Sequence, residues 1–322
     1  MYDIITIGDT TIDTFLILDD NTPGCTIDKN KTHLRLNYGE KIVIADSEQS
    51  VGGNAANVAV GVQRLGGKTA IVTEVGDDLN GKSVIAELQK KRVDTKHVKI
   101  IKKADTRFAV LVVYRAERTI LSSFPHRSYT LPPLPESRWL YYTSSGASFE
   151  HLQRRLVTHL RRHPSTLLAC NPGSFQLRSG KKTFKKIFPF TSILFVNKEE
   201  AITLIGKRLS ILALCAQFHK KGVRTIVITD STRGSYASSG NGVFFMPPFP
   251  INPISKAGAG DAFASGFLSA WINKKSLPEA MRYGTTNAGG VIQHFGTQTG
   301  LLNQSQMTKL LERYKKIQPK LL

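Results

Sequence analysis

WLYYT (Trp139–Thr143), LLAC (Leu167–Cys170), SILFV (Ser192–Val196) and TIVIT (Thr225–Thr229) are four short, almost wholly apolar runs separated by segments with helical spacing. A strand that is apolar on both faces is buried on both faces, which is the condition of a parallel strand covered by helices above and below. Four such runs in alternation with helices therefore predict an α/β fold: a doubly wound, mostly parallel sheet flanked by helices. The pattern extends outward on both sides. Upstream lie apolar runs at Tyr2–Gly8 and Thr69–Val75, with helical spacing over Asn54–Leu65 and Lys82–Lys91. Downstream, helices are expected over Ala259–Ile272, Leu277–Gln293 and Ser305–Lys316.

Two polar, alternating stretches interrupt this plan, at about 13–51 and 105–124. The first reads as irregular to about Gln49, with short alternating pieces such as Lys41–Ala45. The second reads as a hairpin, Phe108–Val113 and Arg118–Leu121, turning at Arg115-Ala116. Neither is long enough to be a domain, and pairing them into one small sheet over the main body would bury both. The chain is thus expected to form a single domain, 1–322, with a β lid.

The 322 residues are 41% hydrophobic and 21% charged, too apolar for a disordered chain. No window of about 18 apolar residues suggests a membrane span, and the N-terminus lacks the features of a signal peptide. Three cysteines, Cys25, Cys170 and Cys215, are widely spaced and odd in number, form no metal pattern and point to a reduced, cytoplasmic setting. The outlier is charge: 44 Lys and Arg against 24 Asp and Glu give a net +20. The basic residues are spread along the chain in pairs, mostly near expected helix ends and without interleaved aromatics. That pattern suits a solvated surface better than a nucleic-acid site.

The richest chemistry lies in Ser255-Lys256-Ala257-Gly258-Ala259-Gly260-Asp261-Ala262-Phe263. Three small residues opening a helix leave backbone N–H groups free to hold an anion. Asp261 directly behind them is placed to take a proton from a hydroxyl attacking a phosphoryl group held there. The plainer alternative is an Asp that stabilises the first helical turn. Gly52-Gly53-Asn54-Ala55-Ala56-Asn57 offers close backbone approach and two amides for a polyhydroxylated ligand, or else a helix start capped by Asn54. Asp13 follows the first strand, where such sheets line ligand crevices. Asn197 and Glu200 read locally as a capping box, or as organisers of Mg²⁺ and its waters. Gly76-Asp77-Asp78-Leu79-Asn80-Gly81-Lys82-Ser83 fits the phosphate-loop spacing. Two carboxylates inside the loop would repel a polyphosphate, so a turn into a helix is expected there instead.

These residues together resemble the ribokinase-like carbohydrate kinases of the PfkB family. GGNAANVAVGVQRLGG (Gly52–Gly67) and AGAGDAFASGFLSA (Ala257–Ala270) resemble its two signatures. Asn197 and Glu200 match its N-x-x-E motif, Asn171-Pro172-Gly173 its Asn-Pro segment, and Glu117-Arg118-Thr119-Ile120 its lid hairpin, all in the family's order. The resemblance implies ATP-dependent phosphorylation of a sugar hydroxyl. Asp261 would be the base, and the N–H groups of Gly258, Ala259 and Gly260 the anion hole. Asp13, Gly53, Asn54 and Asn57 would bind the sugar; Thr229, Gly234 and Asn287 would surround the nucleotide; Asn197 and Glu200 would position Mg²⁺. It also implies pairing of lids between subunits in a homodimer. A nucleoside kinase on the same scaffold is the alternative, its base held by lid aromatics such as Phe108 or Phe124. A non-catalytic nucleic-acid-binding protein is a more distant one. One departure stands out: Ser255-Lys256 replaces the family's Asp-Thr, whose Asp helps bind a monovalent cation in many members. The expectation is that Lys256 supplies positive charge instead.

Overall fold

The computed structural model describes residues 1–30, 32–115, 117–178 and 181–322. The first part of the chain forms β1 (Tyr2–Ile7), β2 (Thr11–Leu18), β3 (Cys25–Ile27), β4 (Leu34–Leu36), β5 (Asp46–Gly52), α1 (Asn54–Arg64), β6 (Thr69–Gly76) and α2 (Leu79–Lys90). The middle forms β7 (Val98–Ile101), β8 (Phe108–Tyr114), β9 (Glu117–Ser122), β10 (Ser137–Tyr142), α3 (Phe149–Arg162), β11 (Leu167–Cys170), α4 (Ser174–Arg178) and α5 (Lys181–Phe184). Then follow β12 (Ile193–Asn197), α6 (Lys198–Ile205), α7 (Ile211–Lys220), β13 (Thr225–Thr229), β14 (Ser235–Ser238) and β15 (Phe244–Met246). The chain finishes with α8 (Ala259–Ile272), α9 (Leu277–Val291), α10 (Gln304–Arg313) and β16 (Lys320–Leu321).

Ten strands form the main sheet in the order β16-β15-β14-β13-β12-β11-β10-β1-β6-β7. From β7 to β13 all neighbours are parallel, and β14, β15 and β16 add an antiparallel edge that the sequence reading did not anticipate. Successive residues of a strand point to opposite faces, so adjacent tyrosines of β10 enter different cores. Tyr142 joins Leu156, Phe184, Phe188 and Phe218 on one face. Tyr141 joins Phe195, Phe263 and Phe267 on the other, beneath α8 and α9. Both tyrosines are fully buried, as the unbroken WLYY run predicts.

The lid is a separate four-stranded sheet in the order β5-β2-β8-β9. It does pair the two interrupting stretches: β2 runs parallel to β8, while β5 and β9 are antiparallel additions. The expectation of an irregular chain up to Gln49 is corrected here. Thr11–Leu18 is an eight-residue strand, and Lys41–Ala45 is not a strand but precedes β5. The polar Thr11 and Asp13 disguised β2, because the face they share meets the cleft rather than a core. Ala116, in the expected hairpin turn, lies outside the described residues. The inner face of the lid packs Phe15, Ala109, Leu111 and Val113 against Ala257 and Phe295 of the body, so the lid sits closed. Among the described residues no helix is long and apolar enough to cross a membrane.

Candidate active site

Asp261 is the third residue of α8, and its helix begins in an unusual way. Gly258 caps the helix in the left-handed region, at φ 76°, with no side-chain capping bond. A Cβ there would lie 2.9 Å from Thr297, so only glycine allows both the turn and the contact. The first turn therefore has no side-chain cap; Ala259 N donates to Lys256 O at a long 3.4 Å, and Gly260 faces open space.

The Asp261 carboxylate does not serve its own helix. Asn54 Nδ2 donates to one oxygen at 3.1 Å and Asn57 Nδ2 to the other at 2.8 Å. Both amides come from α1, whose first residue is Asn54; the cap is Gly53, with no side-chain capping bond. The capping alternative for Asn54 is thus corrected, because its amide is turned across to α8. Asn57 is held in turn by Thr297 Oγ1 and Gln298 Nε2, which donate to its carbonyl oxygen at 3.1 and 2.9 Å. Burial pushes the Asp261 carboxyl up to about 7, against the two amide bonds, with Asp13 and Glu200 adding to the rise. A carboxyl poised near neutrality is suited to taking a proton.

Asp13, on β2, is buried and accepts from Thr11 Oγ1 at 2.6 Å. Burial raises its carboxyl above the ordinary range, with Thr11 and Arg107 pulling the other way. A Cβ on Gly52 would come within 1.9 Å of Asp13 Oδ2, so the paired strand must carry glycine there. Asp9, just beyond β1, is tied to Arg107 and to Tyr129 Oη, and accepts from Ser144 Oγ at 2.9 Å. Among the described residues, a cleft of about 200 Å³ gathers Asp13, Gly53, Asn54, Asn57, Gly258 and Asp261 under the lid residues Arg107, Arg118, Ile120 and Ser122. No aromatic side chain among the described residues lines it. Phe108 is on the other face of β8, and Phe124 packs edge-on against Phe175. A larger, open hollow of about 540 Å³ lies elsewhere, among Gln63, Lys68, Arg92 and Asp94, without any of this chemistry.

Other expected residues fall outside that cleft. Asn197 and Glu200 form a capping box, each accepting from the other's backbone N–H at 2.9 Å. Burial raises the Glu200 carboxyl, opposed by the Asn197 N–H. Among the described residues no group of three His, Cys, Asp or Glu side chains could cage a metal ion. One half-buried carboxylate such as Glu200 suits Mg²⁺, which keeps several waters and takes its other ligands from phosphates. Thr229 ends β13 beside Asp230, which pairs with Lys198 and Arg233. Gly234 follows a few residues on, and a Cβ there would lie only 2.4 Å from the Met246 carbonyl oxygen. Asn287 is fully buried. Its amide donates to Ala262 O and Ser265 Oγ, both at 3.0 Å, and its carbonyl accepts from Leu302 N. Lys256 pairs with Glu117 at the lid hairpin. Asp77 and Asp78 in the phosphate-loop look-alike accept backbone N–H groups, Asp78 capping α2 from Gly81 N at 2.8 Å. That is the turn expected there.

The residues not anticipated are Asp9, Arg107, Tyr129, Ser144, Thr297 and Gln298. Asp9 immediately follows Gly8 at the end of β1, where open α/β sheets form ligand crevices, and that was the available signal. The others meet only through long-range contacts.

The model of the pfkB family carbohydrate kinases matches residues 24–304. The chain belongs to that family. Ribokinase of Haemophilus influenzae is 24% identical over 284 residues, covering 85% of this chain and 91% of that one. The solved Methanocaldococcus jannaschii nucleoside kinase superposes with a TM-score of 0.78 at 21% identity, over 97% of this chain and 99% of that one. A putative ribokinase II from E. coli, in complex with ATP and Mg²⁺, gives a TM-score of 0.80 at 16% identity, over 98% and 100%. The chain is a PfkB carbohydrate kinase with the ribokinase fold.

Proposed function

We propose that this carbohydrate kinase moves the terminal phosphoryl group of ATP onto a hydroxyl of a sugar, with Asp261 as general base. The observation that carries this reading is the buried Asp261 carboxylate, gripped by two amides and held near pKa 7. The acceptor hydroxyl would give its proton to Asp261 as its oxygen attacks the γ-phosphorus, and ADP would leave. The N–H groups of Gly258, Ala259 and Gly260 at the start of α8 would stabilise the charge on the moving phosphoryl. Asp13, Gly53, Asn54 and Asn57 would hold the sugar, the amides also steadying the base. Thr229 and Gly234 would flank the nucleotide, with Asn287 shaping that region from within. Asn197 and Glu200 would hold Mg²⁺ through water, the ion supplying charge neutralisation at the phosphates. The closed lid would keep water out. A cleft without aromatic lining favours a sugar over a nucleoside.

The same proposal takes 1–322 as one catalytic domain with its lid, working in the cytoplasm as a homodimer through the lid. The exposed Phe108 and Leu121 on the lid support that contact, and sedimentation would measure it. The central test is ADP release over pentoses, hexoses, sugar phosphates and nucleosides, with Asp261→Asn alongside. General-base loss should lower kcat by about 10²–10⁴-fold. A mutant equal to wild type on the best acceptor would remove Asp261 from the mechanism.

A further inference from the structure

Strand geometry puts Arg118, Ile120 and Ser122 of β9 on one face, and all three line the cleft. Val113, Leu111 and Ala109 are their partners across the hairpin and share that face. The cleft thus holds two guanidinium groups, and they differ in one respect. Arg107 is engaged: it is ion-paired with Asp9, reaches Ser122 Oγ at 3.4 Å and lies 4.1 Å from the ring centre of Phe124. The Arg118 guanidinium donates no hydrogen bond to any described residue. Its nearest carboxylate is Glu117 at 4.0 Å, and that carboxylate is already paired with Lys256.

The Arg118 side chain is 32% exposed, so water screens it only in part. The acids around it do not balance its charge. Asp9 is neutralised by Arg107, and among the described residues neither Asp13 nor Asp261 is ion-paired with Arg118. A guanidinium is a planar fork of donors matched to carboxylate and phosphate oxygens. Left without an acceptor on the wall of a substrate cleft, it selects for one in the ligand.

We propose that the acceptor sugar carries an anionic group, a phosphate or a carboxylate, and that Arg118 binds it. This rests on the kinase reading above, and it names the substrate class of the same cleft. In the kinase reading the nucleotide phosphates would meet the donors at the start of α8, whereas a neutral sugar would leave Arg118 with only the 4.0 Å contact to Glu117.

The test compares matched acceptors in the ADP-release assay: ribose with ribose 5-phosphate, glucose with glucose 6-phosphate, and glucose with gluconate. The phosphate and carboxylate arms tell the two anions apart. Wild type should prefer one anionic series by roughly tenfold or more in kcat/KM, the scale of a charge-assisted contact. Arg118→Gln should erase most of that preference, through KM for the anionic acceptor, and Arg118→Lys should recover part of it. Thermal melts of each variant establish that it is folded. Equal or better use of the neutral partner by wild type would overturn the proposal while leaving the kinase intact. So would an Arg118→Gln effect confined to KM for MgATP. If no acceptor at all supports Asp261-dependent ADP release, the kinase reading falls and the proposal falls with it.

Discussion

At the residue scale the site is a balance between burial and hydrogen bonding at one carboxyl. Removal from water pushes Asp261 up to about 7, and the Asn57 and Asn54 amides, which stabilise the ionised form, oppose it. The base acts only when ionised, so kcat/KM should rise with pH through about 7 and level off above it. Asn54→Ala removes one donor to the ionised form, which moves the titration upward. The acid limb of the pH profile should shift to higher pH by roughly one unit, the size expected for a hydrogen bond to a charged group. Asn54 is the better probe, since Asn57 also anchors Thr297 and Gln298. A limb that stays in place would mean that the titrating group is not Asp261.

At the element scale, the first turn of α8 and the lid hairpin carry the working parts. Gly260 has nothing within 4 Å of where a Cβ would sit. Gly260→Ala should fold normally and gain up to about 1 kcal/mol from helix propensity. The added methyl stands at the helix end where the phosphoryl would bind, so kcat should fall by roughly tenfold or more while the melting temperature holds or rises. Loss of both together would make Gly260 structural. The Lys256–Glu117 pair joins the lid to the segment preceding that helix, with side chains 29% and 63% exposed. Such a pair contributes at most about 1 kcal/mol. Glu117→Gln should therefore leave the melting temperature nearly unchanged and raise acceptor KM by no more than about fivefold. These elements also show what the sequence made legible. Strands buried on both faces, such as β11 and β13, and the small-residue start of α8 could be read to the residue, because burial and backbone geometry constrain their composition directly. β2 could not, since its cleft face is polar. Nor could the Asn54 and Asn57 contacts to Asp261, because 204 and more residues separate the partners and no local pattern encodes them.

For the molecule as a whole, the open quantity is the charge of +20. Many of the paired cations do sit at helix ends: Lys90 in α2, Arg161 and Arg162 in α3, Lys220 in α7. There they complement the helix dipoles. Elsewhere like charges crowd, as at Lys185, which burial and then Lys221 and Lys181 hold below the usual lysine range. A surface of this kind attracts polyanions from solution, and MgATP is one. Raising NaCl from 10 to 150 mM shortens the screening length from about 30 to about 8 Å. It should lower kcat/KM for MgATP several-fold through slower capture, with kcat little changed. KCl at equal ionic strength separates screening from specific ion binding. Ser255 is buried with its hydroxyl accepting from Ala257 N, and Lys256 is paired with Glu117. With no carboxylate at either position to hold a monovalent cation, KCl and NaCl should give the same curve. A rate that rises steeply with K⁺ alone would show that a cation is held by other groups, and that Lys256 does not take its place.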